Sequence, residues 1–163
     1  MKLSDNLTAA ARYANSQAHQ GFLRECGQQA RQLETAAIDQ DVREAHVKFG
    51  TVAPATPVQE LDGKMLDSRV KLIREEFEEF MDAIEDRNMM GIISEGVDVI
   101  YTIIGTFVAM GVPFMPFWRA VSAANLRKVR EPGGGKWLKP DGWQPANLHK
   151  ILYRLRQQAE GQE

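Results

Sequence analysis

Between about Lys64 and Arg87 the apolar residues recur three and four apart, the period of an amphipathic helix. On a wheel of about 100° per residue, Leu72, Ile73, Phe77, Phe80, Ala83 and Ile84 define one apolar arc. A second helix is predicted from about Met90 to Met110, where GIISEGVDVIYTIIGTFVAM is apolar on nearly every side. The turn around Asn88 is short, so the two helices should lie antiparallel. Pro113 to Pro116 separates this pair from a further helix over Phe117 to about Arg130. Leu148, Ile151, Leu152 and Leu155 place a last helix over Asn147 to Gln158.

Upstream, DQDVREAHVKFG reads as a short helix from about Asp39, with Val42, Ala45, His46 and Phe49 on one side and Gly50 as its stop. TVAPATPVQELDG and REPGGGKWLKPDGWQP read as loops, and no segment alternates as a strand would. The pattern is that of an all-α protein, an antiparallel helical bundle. Residues 1–37 are rich in Ala and Gln, with apolar positions too dispersed for one strong face. They are expected to form an N-terminal helical extension to a domain spanning 38–163.

Acidic residues break this pattern in two places. Glu95 and Asp98 are the only charges between Gly91 and Met110, and three residues apart they share a helix face. On the preceding helix Glu76 falls inside the apolar arc and Glu79 on its border, with Glu75 just beyond. Glu78, Asp82 and Glu85 point to water. Burying an unpaired carboxylate costs several kcal/mol by rough estimate. Three readings follow: a metal site, an ion-pair network with Arg69, Arg74 or Lys128, or a solvated acidic face. The last suits Glu75, Glu78 and Asp82, but Glu95 and Asp98 have no polar face to join. A divalent cation is the most economical compensation.

Composition narrows the cation and the partners. The 163 residues carry a net charge of −2, which argues against a nucleic-acid-coating surface. Cys26 is the lone cysteine, and His19, His46 and His149 have no metal-ligand spacing. Oxygen ligands remain, which favour Mg²⁺ or Mn²⁺ over zinc. MKLSDNLTAA lacks an apolar signal core, so the expected location is the cytoplasm, the host's if the chain is phage-encoded. Val99 to Trp118 carries no formal charge, but its prolines and glycines and the adjoining Asp98 favour a core helix over a membrane span.

Paired carboxylates on neighbouring antiparallel helices are how bundles build metal sites. Four exceed what one Mg²⁺ usually takes from protein, so two or more ions completed by a polyphosphate are expected. Glu75 or Glu79, at the margin, would be placed to accept a proton from water. Arg127, Lys128, Arg130, Lys136 and Lys139 flank Gly133 to Gly135, a composition suited to closing over an anion or simply to a solvated loop. Trp137 and Trp143 are read as anchors of that loop rather than stacking surfaces, and His46 as structural.

Glu76-Phe-Glu-Glu79 followed by Glu95-Gly-Val-Asp98 resembles the metal motif of the all-α nucleoside triphosphate pyrophosphohydrolases. That superfamily includes MazG-like proteins, dimeric dUTPases, dCTP pyrophosphatases and phosphoribosyl-ATP pyrophosphohydrolase. LIREEFEEF, EGVDVIYTIIG and DVREAHVKFG are each similar to its segments, and the likeness covers about Asp39 to Leu148. It is closest to the phage and bacterial MazG-like type. The resemblance implies Mg²⁺-dependent hydrolysis of an NTP or dNTP to the monophosphate and pyrophosphate, by a homodimer or homotetramer with sites completed between chains. SAANLRKVREPGGGKWLKPDGW is similar to the family's N-x-x-K region, which would put Asn125 on sugar or base and Lys128 on a phosphate. A purine deoxynucleotide such as dGTP is one candidate substrate; the alternatives are a nucleotide-binding regulatory bundle without turnover and a phosphoribosyl-ATP pyrophosphohydrolase.

Overall fold

The computed structural model describes residues 38–161. The expected N-terminal extension over 1–37 lies outside these residues. Among them the helices are α1 (38–48), α2 (Gly63–Glu85), α3 (Met89–Ala109), α4 (Phe114–Asn125) and α5 (Leu148–Glu160). Two-residue strands β1 (Val129–Arg130) and β2 (Trp137–Leu138) pair antiparallel, Val129 opposite Leu138. The fold is all-α apart from this hairpin, which carries no strand periodicity for sequence to display.

α2 and α3 form the central antiparallel pair, and their hinge is built by local hydrogen bonds. The Asp62 carboxylate accepts from Lys64 N at the start of α2. At its end, Asn88 N reaches the Ala83 carbonyl and Arg87 N the Ile84 carbonyl, both at 3.0 Å. This 6→1 and 5→2 pair is the Schellman closure, with Arg87 at φ 52 where glycine is usual. Asn88 then caps α3 by accepting from Gly91 N at 3.1 Å. Two residues thus suffice to reverse the chain.

α3 ends in the same closure, Val112 N to Phe107 O and Gly111 N to Val108 O, both at 2.9 Å. Here glycine is obligatory. Gly111 has φ +68, and a Cβ would overlap the Thr56 carbonyl oxygen of the α1–α2 loop. α4 begins at Phe114, three residues earlier than the proline pattern predicts. Pro113 precedes it, and Pro116 lies within the first turn, where the missing N–H has no intrahelical partner to lose. Asp39 of α1 supplies the missing cap, its two oxygens accepting from Phe114 N and Met115 N at 3.1 and 3.2 Å.

The core is where α1 meets the C-terminal half of α3. Val42, Ile104 and Val108 are buried together, with Ala53 and Phe114 packed against them. Phe107 extends it edge-on to Phe114, centroids 5.2 Å apart. Arg156 ties α5 to the α1–α2 loop through Val58 O at 2.9 Å. The N-terminal half of α3 is covered on one side only, and Ile93, Val97, Ile100 and Tyr101 remain exposed. Among the described residues α3 alone is long and apolar enough to cross a membrane by length and composition. It carries Glu95 and Asp98 near its middle and packs along α2.

Candidate functional site

The α2–α3 seam sets the site. On α2 a row of residues withdrawn from solvent runs Leu66, Arg69, Ile73, Glu76, Phe80 and Ala83, alternating three and four apart. On α3 the matching row is Ile92, Glu95, Val99, Thr102, Thr106 and Ala109. Two stripes with helix-packing spacing therefore meet, each with a carboxylate in it. The seam departs from the predicted arc, since Leu72, Phe77 and Ile84 lie outside it, and Phe77 is 50% exposed. Close approach is allowed at Gly96, where a Cβ would stand 3.1 Å from the Phe80 ring, and at Gly91, 3.1 Å from Ala83.

Carboxylate oxygens of Glu76, Glu79 and Glu95 all lie within 4.8 Å of one another. Glu76 and Glu95 are partly buried in the seam, and Glu79 sits at its exposed edge. Burial pushes the Glu76 carboxyl above its ordinary value, and Asp98, Glu79, Glu75 and Glu95 push it in the same direction, in that order. Asp98 lies outside the tight group of three, yet it exerts the largest single charge effect on Glu76. Every charge that shifts Glu76 is negative. The ion-pair alternative finds no support: Arg69 turns to Thr102 and Thr106 on α3, and the Lys128 ammonium lies over the Trp143 ring.

The burial expected of these acids is only half met. Asp98 and Glu79 are exposed, and Glu76 and Glu95 are partly so. The apolar run of α3 suggested cover on all sides, but within one chain α2 covers a single stripe.

The donor set fits a hard divalent cation. All ligand atoms are carboxylate oxygens, and no cation of the chain is among the charges acting on Glu76. With Mg–O bonds of about 2.0–2.1 Å, opposite ligands of an octahedral ion stand about 4.2 Å apart. Oxygens within 4.8 Å reach that by small side-chain rotations.

The model of the phosphoribosyl-ATP pyrophosphohydrolase family matches residues 42–125. The chain belongs to this family. No curated protein matches the chain. Family membership makes it an enzyme, a nucleotide pyrophosphohydrolase acting on phosphoric anhydrides. The matched span holds all four seam acids, Arg69 and Asn125, and stops short of Lys128, Lys136 and Lys139.

Lys128, Lys136 and Lys139 follow α4, around the β1–β2 hairpin. Asn125 ends α4 and lines a cleft of about 220 Å³ with Trp118, Ser122, Leu126 and Trp137. Lys128 and Lys139 flank Trp143, 5.7 and 4.9 Å from its ring centroid. Trp143 is an anchor, its indole N–H donating to Ala124 O at 2.8 Å. Trp137 is not, being 70% exposed at the mouth of the cleft. Lys136 follows the hairpin tip, where Gly133, Gly134 and Gly135 all have positive φ. Sequence reasoning missed the cleft and did not give Arg69 a place in the seam. The second was recoverable, because Arg69 stands seven residues before Glu76 on the same face.

Proposed function

We propose that the chain is a Mg²⁺-dependent hydrolase that converts an NTP or dNTP to the monophosphate and pyrophosphate. The carrying observation is the convergence of the Glu76, Glu79 and Glu95 carboxylates within 4.8 Å, with Glu76 and Glu95 partly buried. Such an arrangement is unfavourable alone and favourable around cations. Glu76, Glu79, Glu95 and Asp98 would hold Mg²⁺, with Mn²⁺ as the alternative ion and two or more per site once a polyphosphate joins. Ions so held neutralise phosphate oxygens and lower the pKa of a water.

The remaining roles belong to the chain. Glu79 or Glu75, both at the solvent edge, takes the proton as water attacks phosphorus. The anhydride P–O bond then breaks and pyrophosphate leaves. Asn125 contacts sugar or base, and Lys128, Lys136 and Lys139 hold phosphate oxygens. The likeness of the acidic motif to the all-α pyrophosphohydrolases supports a site completed by a second copy. The exposed row Ile93, Val97, Ile100 on α3, with Phe77 and Met81 on α2, supports the same homo-oligomer.

A purine dNTP such as dGTP is the first substrate to try, and phosphoribosyl-ATP is a second reading favoured by the family match. Full-length protein incubated with Mg²⁺ and each NTP, dNTP and phosphoribosyl-ATP tests both. Turnover of a plain nucleotide supports the first and turnover of phosphoribosyl-ATP alone the second. Binding without turnover of any would replace both with a nucleotide-binding bundle.

A further inference from the structure

The seam contains a second charged residue that the proposed reaction leaves unused. Arg69 lies two helical turns from Glu76 on the contact row of α2, and Thr102 lies two turns from Glu95 on the opposing row of α3. Arg69 Nη2 donates to Thr102 O at 2.6 Å, and its Nε donates to Thr106 Oγ1 at 3.2 Å. The contact between Arg69 and Thr102 thus repeats, two turns along, the opposition of Glu76 and Glu95.

A guanidinium reaches a helix backbone only where no side chain intervenes. Gly105 provides that opening: a Cβ there would lie 2.8 Å from Arg69 Nη2 and 2.9 Å from His46 Nε2. His46, 8% exposed, approaches from α1 with Nδ1 donating to Val52 O at 2.9 Å. Three helices therefore meet at one glycine, and Arg69 is the group that binds α2 to α3 there. Apolar seam contacts tolerate sliding. A planar fork aimed at one carbonyl and one hydroxyl does not, because a shift of one residue loses both acceptors. The same shift would carry Glu76 away from Glu95.

We propose that Arg69 is a positioning residue for the carboxylate cluster: seated on Gly105 and tied to Thr102, it fixes the α2–α3 register at which Glu76, Glu79 and Glu95 converge on a cation. This rests on the metal reading above. Groups that hydrogen-bond metal ligands directly are worth about 10–100-fold in affinity; Arg69 acts two turns away, so the low end of that range is expected for R69M.

The test is calorimetric titration of the full chain with Mn²⁺, with thermal unfolding measured alongside. R69M and G105A should keep wild-type helical content and bind Mn²⁺ at least about tenfold more weakly. R69K, which can reach one acceptor but not fork to two, should fall between. V42A serves as control, because it hollows the core of Val42, Ile104 and Val108 without touching the seam. It should lower Tm and leave Mn²⁺ affinity unchanged. R69M and G105A behaving like V42A would overturn the positioning role while leaving the metal reading intact. If R69M does not fold, R69K decides, and wild-type affinity in it overturns the proposal. Wild-type protein that binds no Mn²⁺ would remove the metal reading and the inference together.

Discussion

Gly96 on α3 lies against the ring of Phe80 on α2, so closely that a Cβ at residue 96 would stand 3.1 Å from it. Phe80 is one turn beyond Glu76, and Gly96 adjoins Glu95. A close apolar contact of the seam is therefore next to the acids. G96A should push the helices apart at that point, an overpacking cost of about 1–3 kcal/mol offset in part by about 1 kcal/mol of helix propensity. It should also weaken Mg²⁺ binding, read as a higher midpoint in a Mg²⁺ titration of Tm. An unchanged midpoint would mean that the acids tolerate the separation.

Glu76 gives a pH dependence of definite sign. Its folded-state pKa is raised from 4.5, by burial first and then by neighbouring carboxylates. The folded state then holds this proton more tightly than the unfolded chain. Stability linked to Glu76 is therefore greatest below the ordinary carboxylate range and is lost as pH rises through the raised value. Metal binding runs the other way, since it needs the ionised form. E76Q should raise the Tm of the metal-free protein at pH 8, with the gain shrinking toward pH 4. It should also abolish stabilisation by Mg²⁺. A lower metal-free Tm for E76Q at pH 8 would contradict the electrostatics.

The hinge between the two acid-bearing helices holds a strained residue. Arg87 occupies the left-handed region at φ 52, in a closure that favours glycine. R87G should stabilise the protein by roughly 0.5–1 kcal/mol, the relief of an αL side chain less the entropy glycine adds to the unfolded chain. Gly111 presents the opposite case. G111A meets both a positive φ and the Thr56 carbonyl, and should cost about 2 kcal/mol or more. Urea denaturation at a fixed Mg²⁺ concentration measures both.

The exposed apolar row on α3 predicts self-association. I100E places a charge at its centre and should shift the protein toward monomer in light scattering after size exclusion. If a second copy completes the site, activity should fall with the assembly. An I100E protein that is monomeric and fully active would show that one chain is sufficient.

Much of this was legible in the sequence because helices and their faces are local properties. The alternation in α2, the short turn at Asn88 and the glycine stop at Gly50 all follow from neighbours a few residues apart. Glu76 and Glu95 could be singled out because a charge in an apolar stripe is anomalous wherever it occurs. The true seam was harder. Phe77 and Leu72 looked like core by the wheel, yet the contact row runs through Arg69, Ile73 and Glu76, because the partner helix rather than hydrophobicity decides which face is covered. The start of α4 was misread for a similar reason: its cap is Asp39, far away in sequence. The packing of Arg69 against Gly105 depends on three helices meeting and leaves no trace in any single window.

The central claim is that the seam carboxylates bind Mg²⁺ and thereby hydrolyse a nucleotide anhydride. Phosphorus NMR on the best substrate of the panel, comparing wild type with E95Q and D98N at saturating Mg²⁺, addresses it most directly. The account predicts equal amounts of monophosphate and pyrophosphate from wild type, none when the metal is chelated, and a loss exceeding about 100-fold in each variant, beyond that typical of groups that only support ligands. Wild-type rates in both variants, or turnover undiminished by chelation, would contradict it.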